Sequence, residues 1–109
     1  MDVAIDDLSV SAFRIPTQSP ESDGTIEWDS TTMVLVEARA GDQTGIGFTY
    51  ASEAAAFLIR EKLASIVLHK NAMDIAGIWG EMAREVRNIG RPGIASMAIS
   101  GVDIALWDL

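Results

Sequence analysis

Residues 94–109, IASMAISGVDIALWDL, constrain this chain more than any other segment. Eleven of these sixteen residues are apolar, and the only coherent polar stripe is Ser96, Ser100 and Asp103, at i, i+4 and i+7. A helix that is apolar on nearly every side has to be covered on nearly every side. The rest of the chain offers three strands and two helices, enough to cover one face of that helix but not both. The segment also runs to Leu109 without a glycine stop or a basic last turn. The expectation is therefore that further chain, or another copy of the protein, covers the second face.

Composition narrows the class. With 109 residues, 49% hydrophobic and 22% charged, the chain is one globular domain able to build a core. It has no cysteine, so disulfide frameworks and thiolate metal sites are excluded, and a reducing cytoplasmic setting is expected. The N-terminus, MDVAIDDLSV, is acidic and lacks the basic start of a signal peptide. The apolar run at 94–109 is interrupted by Ser96, Ser100, Gly101 and Asp103, which argues against a membrane span. The net charge of −8 lies entirely in residues 1–53, with ten acids against Arg14 and Arg39; residues 54–109 balance six against six. Such a surface repels phosphate backbones, so no nucleic-acid partner is expected.

The pattern along the chain predicts an α+β fold: a three-stranded antiparallel meander followed by a helical bundle. Leu8, Val10 and Ala12 alternate with Ser9 and Ser11, predicting a half-buried strand over 3–15 that ends at Pro16. TQSPESDGTIEWDS (17–30) has no period and reads as one long loop, a length typical of lids and binding loops. Residues 31–40 and 45–50 form a hairpin across Gly41-Asp42, with Ile46, Phe48 and Tyr50 alternating against Gly45, Gly47 and Thr49. Gly45-x-Gly47 lies inside a strand and lacks a third glycine. It reads as close backbone approach rather than as a dinucleotide fingerprint. Ser52 caps a predicted helix to about 69, buried through Ala56, Ile59, Leu63, Ile66 and Val67. Asn71 caps a second, with Ile75, Trp79, Met82, Val86 and Ile89 inward and with Gly77 and Gly80 allowing close packing.

Residues able to run chemistry are scarce. His69 is the one histidine, placed at a helix end where capping is the usual role. Glu21, Asp23, Glu27 and Asp29 share a loop, but their spacing specifies no calcium array. Asp103 and Asp108 lie on the apolar helix, where a carboxylate needs a hydrogen-bonding partner.

AISGVDIALWDL (98–109) resembles the helix that joins the N-terminal domain to the barrel in the enolase superfamily, in its mandelate racemase and muconate lactonizing enzyme branch. VLVEARAGDQTGIGFTY (34–50) is similar to that branch's second and third strands, the loop after the first strand matches its specificity loop, and ASEAAA (51–56) falls where its second active-site loop lies. The resemblance spans the whole chain. It implies that 1–109 is a capping domain, normally followed by a (β/α)-barrel that carries the chemistry. Barrel carboxylates would bind Mg²⁺, and a barrel Lys or His would abstract the proton alpha to a substrate carboxylate, giving a racemase, dehydratase, cycloisomerase or epimerase. None of those groups would come from this segment. Its share would be a substrate-selecting cover over the barrel mouth.

On that resemblance the candidate substrate-binding residues are Trp28 and Ile26, the apolar groups of the polar loop, with Tyr50 and Ser52 beside the second loop. No catalytic or metal-binding residue is assigned within 1–109. The implied partners are a small carboxylate substrate, the barrel domain and further copies in a homo-oligomer. A loop with four acids and no Lys or Arg disfavours a second carboxylate at the substrate's far end. The expected substrate is a monocarboxylate with a neutral polar or cationic distal part. The alternative reading is a stand-alone interaction module that buries its last helix by oligomerising.

Overall fold

The computed structural model describes residues 2–109. Three strands, β1 (Ile5–Ser22), β2 (Glu27–Ala40) and β3 (Gln43–Tyr50), form one antiparallel sheet in the order β1-β2-β3. The helices follow: α1 (Glu53–Leu58), a π-helical turn at Ile59–Leu63, α2 (Ala64–Val67), α3 (Ile75–Glu85) and α4 (Ile94–Asp108). This is the α+β meander-plus-helices expected from the sequence.

Alternation decides which side of the sheet meets the helices. Val34, Val36 and Ala38 of β2 are fully buried. Their neighbours across the ladder are Ala12, Val10 and Leu8 on β1 and Thr49, Gly47 and Gly45 on β3. Paired residues share a face, so the two glycines lie under the helical layer. There α4 rests directly on the β3 backbone. A methyl group at Gly47 would land on the carbonyl oxygen of Gly101 and the amide nitrogen of Ala105; one at Gly45 would land on the carbonyl oxygen of Ala105. From the helix side, a methyl at Gly101 would meet Thr49 and Val36 at 3.5 Å, ordinary contact. Small residues on the helix (Ala98, Gly101, Ala105) thus face small residues on the sheet, and Ile59, Leu63, Val67, Ile78 and Met82 fill the rest of the core.

Several helical details depart from expectation. The first helical stretch ends at Val67 and is broken by the π-helical turn, where one extra residue per turn shifts the buried stripe. Ala55 joins Ala56, Ile59, Leu63 and Val67 in the core, and Ile66 is only partly buried. His69 follows in the left-handed region at φ 70°, and its amide donates to Ile5 O while Ile5 N donates to Lys70 O. The start of β1 is pinned there to the turn after α2. Asn71 caps no helix; its Oδ1 accepts from the amides of Val3 and Met73. Asp74 caps α3 instead, accepting from Gly77 N at 3.2 Å. Gly77 makes room for that carboxylate, because a methyl group there would collide with it, whereas Gly80 faces open space. Neither glycine packs against another element. On α3 the buried side chains are Ile78 and Met82, with Val86 just beyond, while Trp79 turns outward beneath the Arg91 guanidinium, 5.7 Å from its ring centre.

The two kinds of glycine make opposite predictions. Gly47→Ala forces α4 off the sheet and is expected to cost about 2–3 kcal/mol, as overpacking a dense core does. Gly80→Ala removes helix-interior flexibility at an open position and is expected to stabilise by about 0.5–1 kcal/mol. Urea unfolding midpoints of the two variants check both signs.

Candidate functional site

The stretch read from sequence as a loop is a two-stranded ribbon. β3 ends with Tyr50 opposite Met33, so beyond that point β1 and β2 continue alone, through Arg14–Thr32, Ile15–Thr31 and Pro16–Ser30 to Glu21–Trp28 and Ser22–Glu27. Pro16 does not stop the strand, because β1 is an edge strand and tolerates a missing N–H on its open side. The ladder slips once, between Pro16 and Glu21. Neither side of the ribbon is packed against the core, so burial imposes no hydrophobic alternation. That is why no period was legible in 17–30.

A hydrogen-bonded turn closes the ribbon. Asp23 Oδ1 accepts from the amides of Thr25 and Ile26, both at 2.9 Å, and Asp23 N donates to Ile26 O at 3.2 Å. Gly24 takes φ 90°, a conformation that favours glycine. The two amide hydrogen bonds, first Ile26 and then Thr25, favour the ionised carboxylate and hold the Asp23 pKa below the usual carboxylate value.

Of the four candidate binding residues, Ile26 and Trp28 stand on the ribbon and Tyr50 and Ser52 at its root. Ile26 is 63% exposed and Trp28 37%, so this end of a polar ribbon presents apolar surface to solvent. Ala51 N donates to Thr32 O, which fastens the segment after β3 to the base of the ribbon. Ser52 caps α1, its Oγ accepting from Ala54 N at 3.1 Å. Trp28 lies four residues before Thr32 on β2, roughly 13 Å further out along the ribbon at strand rise. By strand alternation Trp28 falls on the helix-bearing side of the sheet and Tyr50 on the opposite side, edge-on to Phe48 with ring centres 5.9 Å apart. The fold therefore sets two of these residues on the ribbon and two at its root, without closing them into a single pocket.

Two further features were partly legible. Asp108 Oδ2 accepts from Ile46 N at 2.8 Å, tying the end of α4 to β3; this is the backbone partner that a carboxylate on an apolar helix requires. Asp103 lies with Trp79, Arg91, Ser96 and Ser100 along a shallow groove, and partial burial raises its pKa. The other side of α4 leaves Ile94, Met97, Ile104 and Trp107 exposed, Trp107 to 70%, so the second face of this helix has no cover within the described residues. The outward face of the sheet, with Phe13, Met33, Leu35, Ile46 and Phe48, had no separate signal in the sequence beyond the β-branched and aromatic alternation. Among the described residues, no group of three or more His, Asp or Glu is placed to hold a metal ion.

The fold defines an α+β domain in which a three-stranded antiparallel sheet, extended at one end as a two-stranded ribbon, precedes the helices. Residues 8–109 match the family described as mandelate racemase / muconate lactonizing enzyme, N-terminal domain, and this chain belongs to that family. It is 39% identical over 77 residues to an L-rhamnonate dehydratase of Saccharopolyspora erythraea, covering 70% of this chain and 20% of that protein. Among solved structures it is similar to a mandelate racemase/muconate lactonizing enzyme-like protein from Rubrobacter xylanophilus, with 46% identity, a TM-score of 0.93, and 95% of this chain on 29% of that one. It is similar also to a racemase from Streptomyces coelicolor A3(2) with bound magnesium, with 33% identity, a TM-score of 0.93, and 96% of this chain on 31% of that one. The chain thus spans a fifth of the curated relative and under a third of either solved chain. It corresponds to the N-terminal domain of enolase-superfamily enzymes that include dehydratases and racemases.

The turn makes a pH prediction. A carboxylate whose pKa is lowered in the folded state contributes to the turn fully above its unfolded pKa, and the contribution is lost as pH falls through the folded value. The Thr25 and Ile26 amide resonances should titrate below the ordinary carboxylate range. In Asp23→Asn, which keeps the acceptor and removes the charge, they should not titrate. Amide chemical shifts followed by NMR between neutral and strongly acid pH check this.

Proposed function

We propose that this domain is the substrate-selecting lid of a magnesium-dependent enzyme that abstracts the proton alpha to a substrate carboxylate, with the base and the metal ligands supplied outside residues 1–109. The observation that carries the reading is the β1–β2 ribbon, stabilised at its tip by Asp23 and carrying exposed Ile26 and Trp28 where no core of this domain needs them. Membership of the family, a dehydratase relative acting on a carboxylate and a racemase relative holding magnesium support it. The uncovered side of α4 supports a following domain seated against it. In this reading the chain's own residues bind and orient substrate and exclude water, and they transfer no proton. Ile26 and Trp28 wall the pocket from the ribbon and Ser52 borders it from the root, whereas Tyr50 stands on the other side of the sheet against Phe48. Closing such a cover removes solvent from the reacting carboxylate and strengthens every polar contact beneath it.

The test is Trp28→Ala in the full-length enzyme. The expected result is a loss of kcat/KM of about tenfold or more, of the size seen when a positioning contact is removed, with the unfolding midpoint unchanged. Unaltered kcat/KM would show that the ribbon does not cover the site.

A further inference from the structure

The ribbon carries four carboxylates, and its geometry separates them. Asp23 is committed to the turn through two amide hydrogen bonds. Glu27 and Asp29 flank Trp28 in sequence on β2, so strand alternation points them to the face opposite the indole. Glu21 is different. It is the cross-strand partner of Trp28, and the two residues of such a pair share a face, with Cβ atoms about 4.5–5.5 Å apart. One indole and one carboxylate therefore stand side by side on the same side of the ribbon, and no Lys or Arg occurs anywhere in 17–30 to neutralise the acid. Arg14, the nearest base in sequence, lies seven residues back along β1, beyond the slip in the ladder.

Resting on the lid reading above, we infer that Glu21 is a specificity-determining residue, which together with Trp28 selects a monocarboxylate whose distal end donates hydrogen bonds. An ionised carboxylate is an acceptor only. It accepts from a hydroxyl or an ammonium group and offers nothing to a second carboxylate, which it repels across a site that closure has dried. The flat indole beside it covers the carbon–hydrogen face of a polyhydroxylated tail or the charge of a cationic one. The distal end of the substrate is thus a polyol or an ammonium, and a dicarboxylate of the same length is rejected.

Matched aldonate–aldarate pairs test this on the full-length enzyme with magnesium: gluconate with glucarate, galactonate with galactarate, mannonate with mannarate. Each pair differs only in a distal hydroxymethyl against a distal carboxylate. Alpha-proton exchange into deuterated water and dehydration are both followed by NMR. The expected result is that the wild type prefers the aldonate of the reactive pair at least tenfold in kcat/KM. In Glu21→Gln that ratio falls at least tenfold, mainly through a gain for the aldarate, while Glu27→Gln and Asp29→Asn stay within about twofold of wild type, as substitutions on the opposite face should. A wild type that prefers the aldarate, or that processes neither an aldonate nor the matching acid with an ammonium group at its distal end, overturns the inference. Equal shifts for Glu21→Gln, Glu27→Gln and Asp29→Asn also overturn it, leaving a lid that acts by overall charge. If Glu21→Gln keeps the wild-type ratio while Trp28→Ala lowers kcat/KM, the inference fails and the lid reading stands. If Trp28→Ala and all three carboxylate variants keep the wild-type kcat/KM on every substrate, the lid reading itself fails.

Discussion

The seat of α4 on β3 is the constraint on which the rest of this domain depends. Because Gly45 and Gly47 carry no side chain, the helix backbone comes down onto the strand backbone, and Gly101 and Ala105 on the helix permit the approach from above. The bond from Ile46 N to Asp108 then fastens the far end. With α4 held this low, Val34, Val36 and Ala38 are sealed, and the short helices α1 and α2 close the remaining side around Ile59, Leu63 and Val67. The same seating turns Ile94, Met97, Ile104 and Trp107 away from the sheet. One helix is thus the floor of this core on one side and an exposed apolar face on the other.

The ribbon follows from where the third strand stops. β3 pairs β2 only as far as Met33, and the chain turns at Ala51 and Ser52 into α1. Past that point β1 and β2 have each other and nothing else. Isolated two-stranded ribbons are marginal in water. This one is rooted in a three-stranded sheet and closed by an Asp23 turn that satisfies two amides. It is a hydrogen-bonded extension of the sheet rather than a slack loop, the arrangement that the proposed lid role calls for.

How much was legible depended on burial. Where one face is packed, the period shows: Leu8, Val10 and Ala12, the Gly45–Tyr50 alternation and the stripe of the first helical stretch were read in the right places, and the glycine strand was correctly read as close backbone approach. On α3 the stripe was only partly right, with Met82 and Val86 buried but Trp79 and Ile89 exposed and Ile78 in the core. Where packing is absent, sequence loses its hold. The ribbon has no buried side, so 17–30 looked like loop, and Pro16 looked like a terminator because the edge position of β1 is not written locally. Asn71 and Asp74 lie one turn apart and carry equally suitable cap chemistry, so the cap of α3 is decided only by where the helix begins, at Asp74. The π-helical turn at Ile59–Leu63 left no mark in the apolar spacing of the sequence. Of the candidate site, the residue types on the ribbon were legible. The pairing of Trp28 with Glu21 was not, since register across a slipped ladder is a property of two strands together.

The lid account is tested most directly by hydrogen–deuterium exchange on the full-length protein with magnesium, with and without a bound carboxylate inhibitor. Exchange reports the opening of backbone hydrogen bonds segment by segment. The account predicts that amides in 17–30 and 50–53 become strongly protected when the inhibitor binds, while α4 is equally protected in both states. Unchanged exchange across 17–30 on binding, with protection gained elsewhere in the protein, would contradict it.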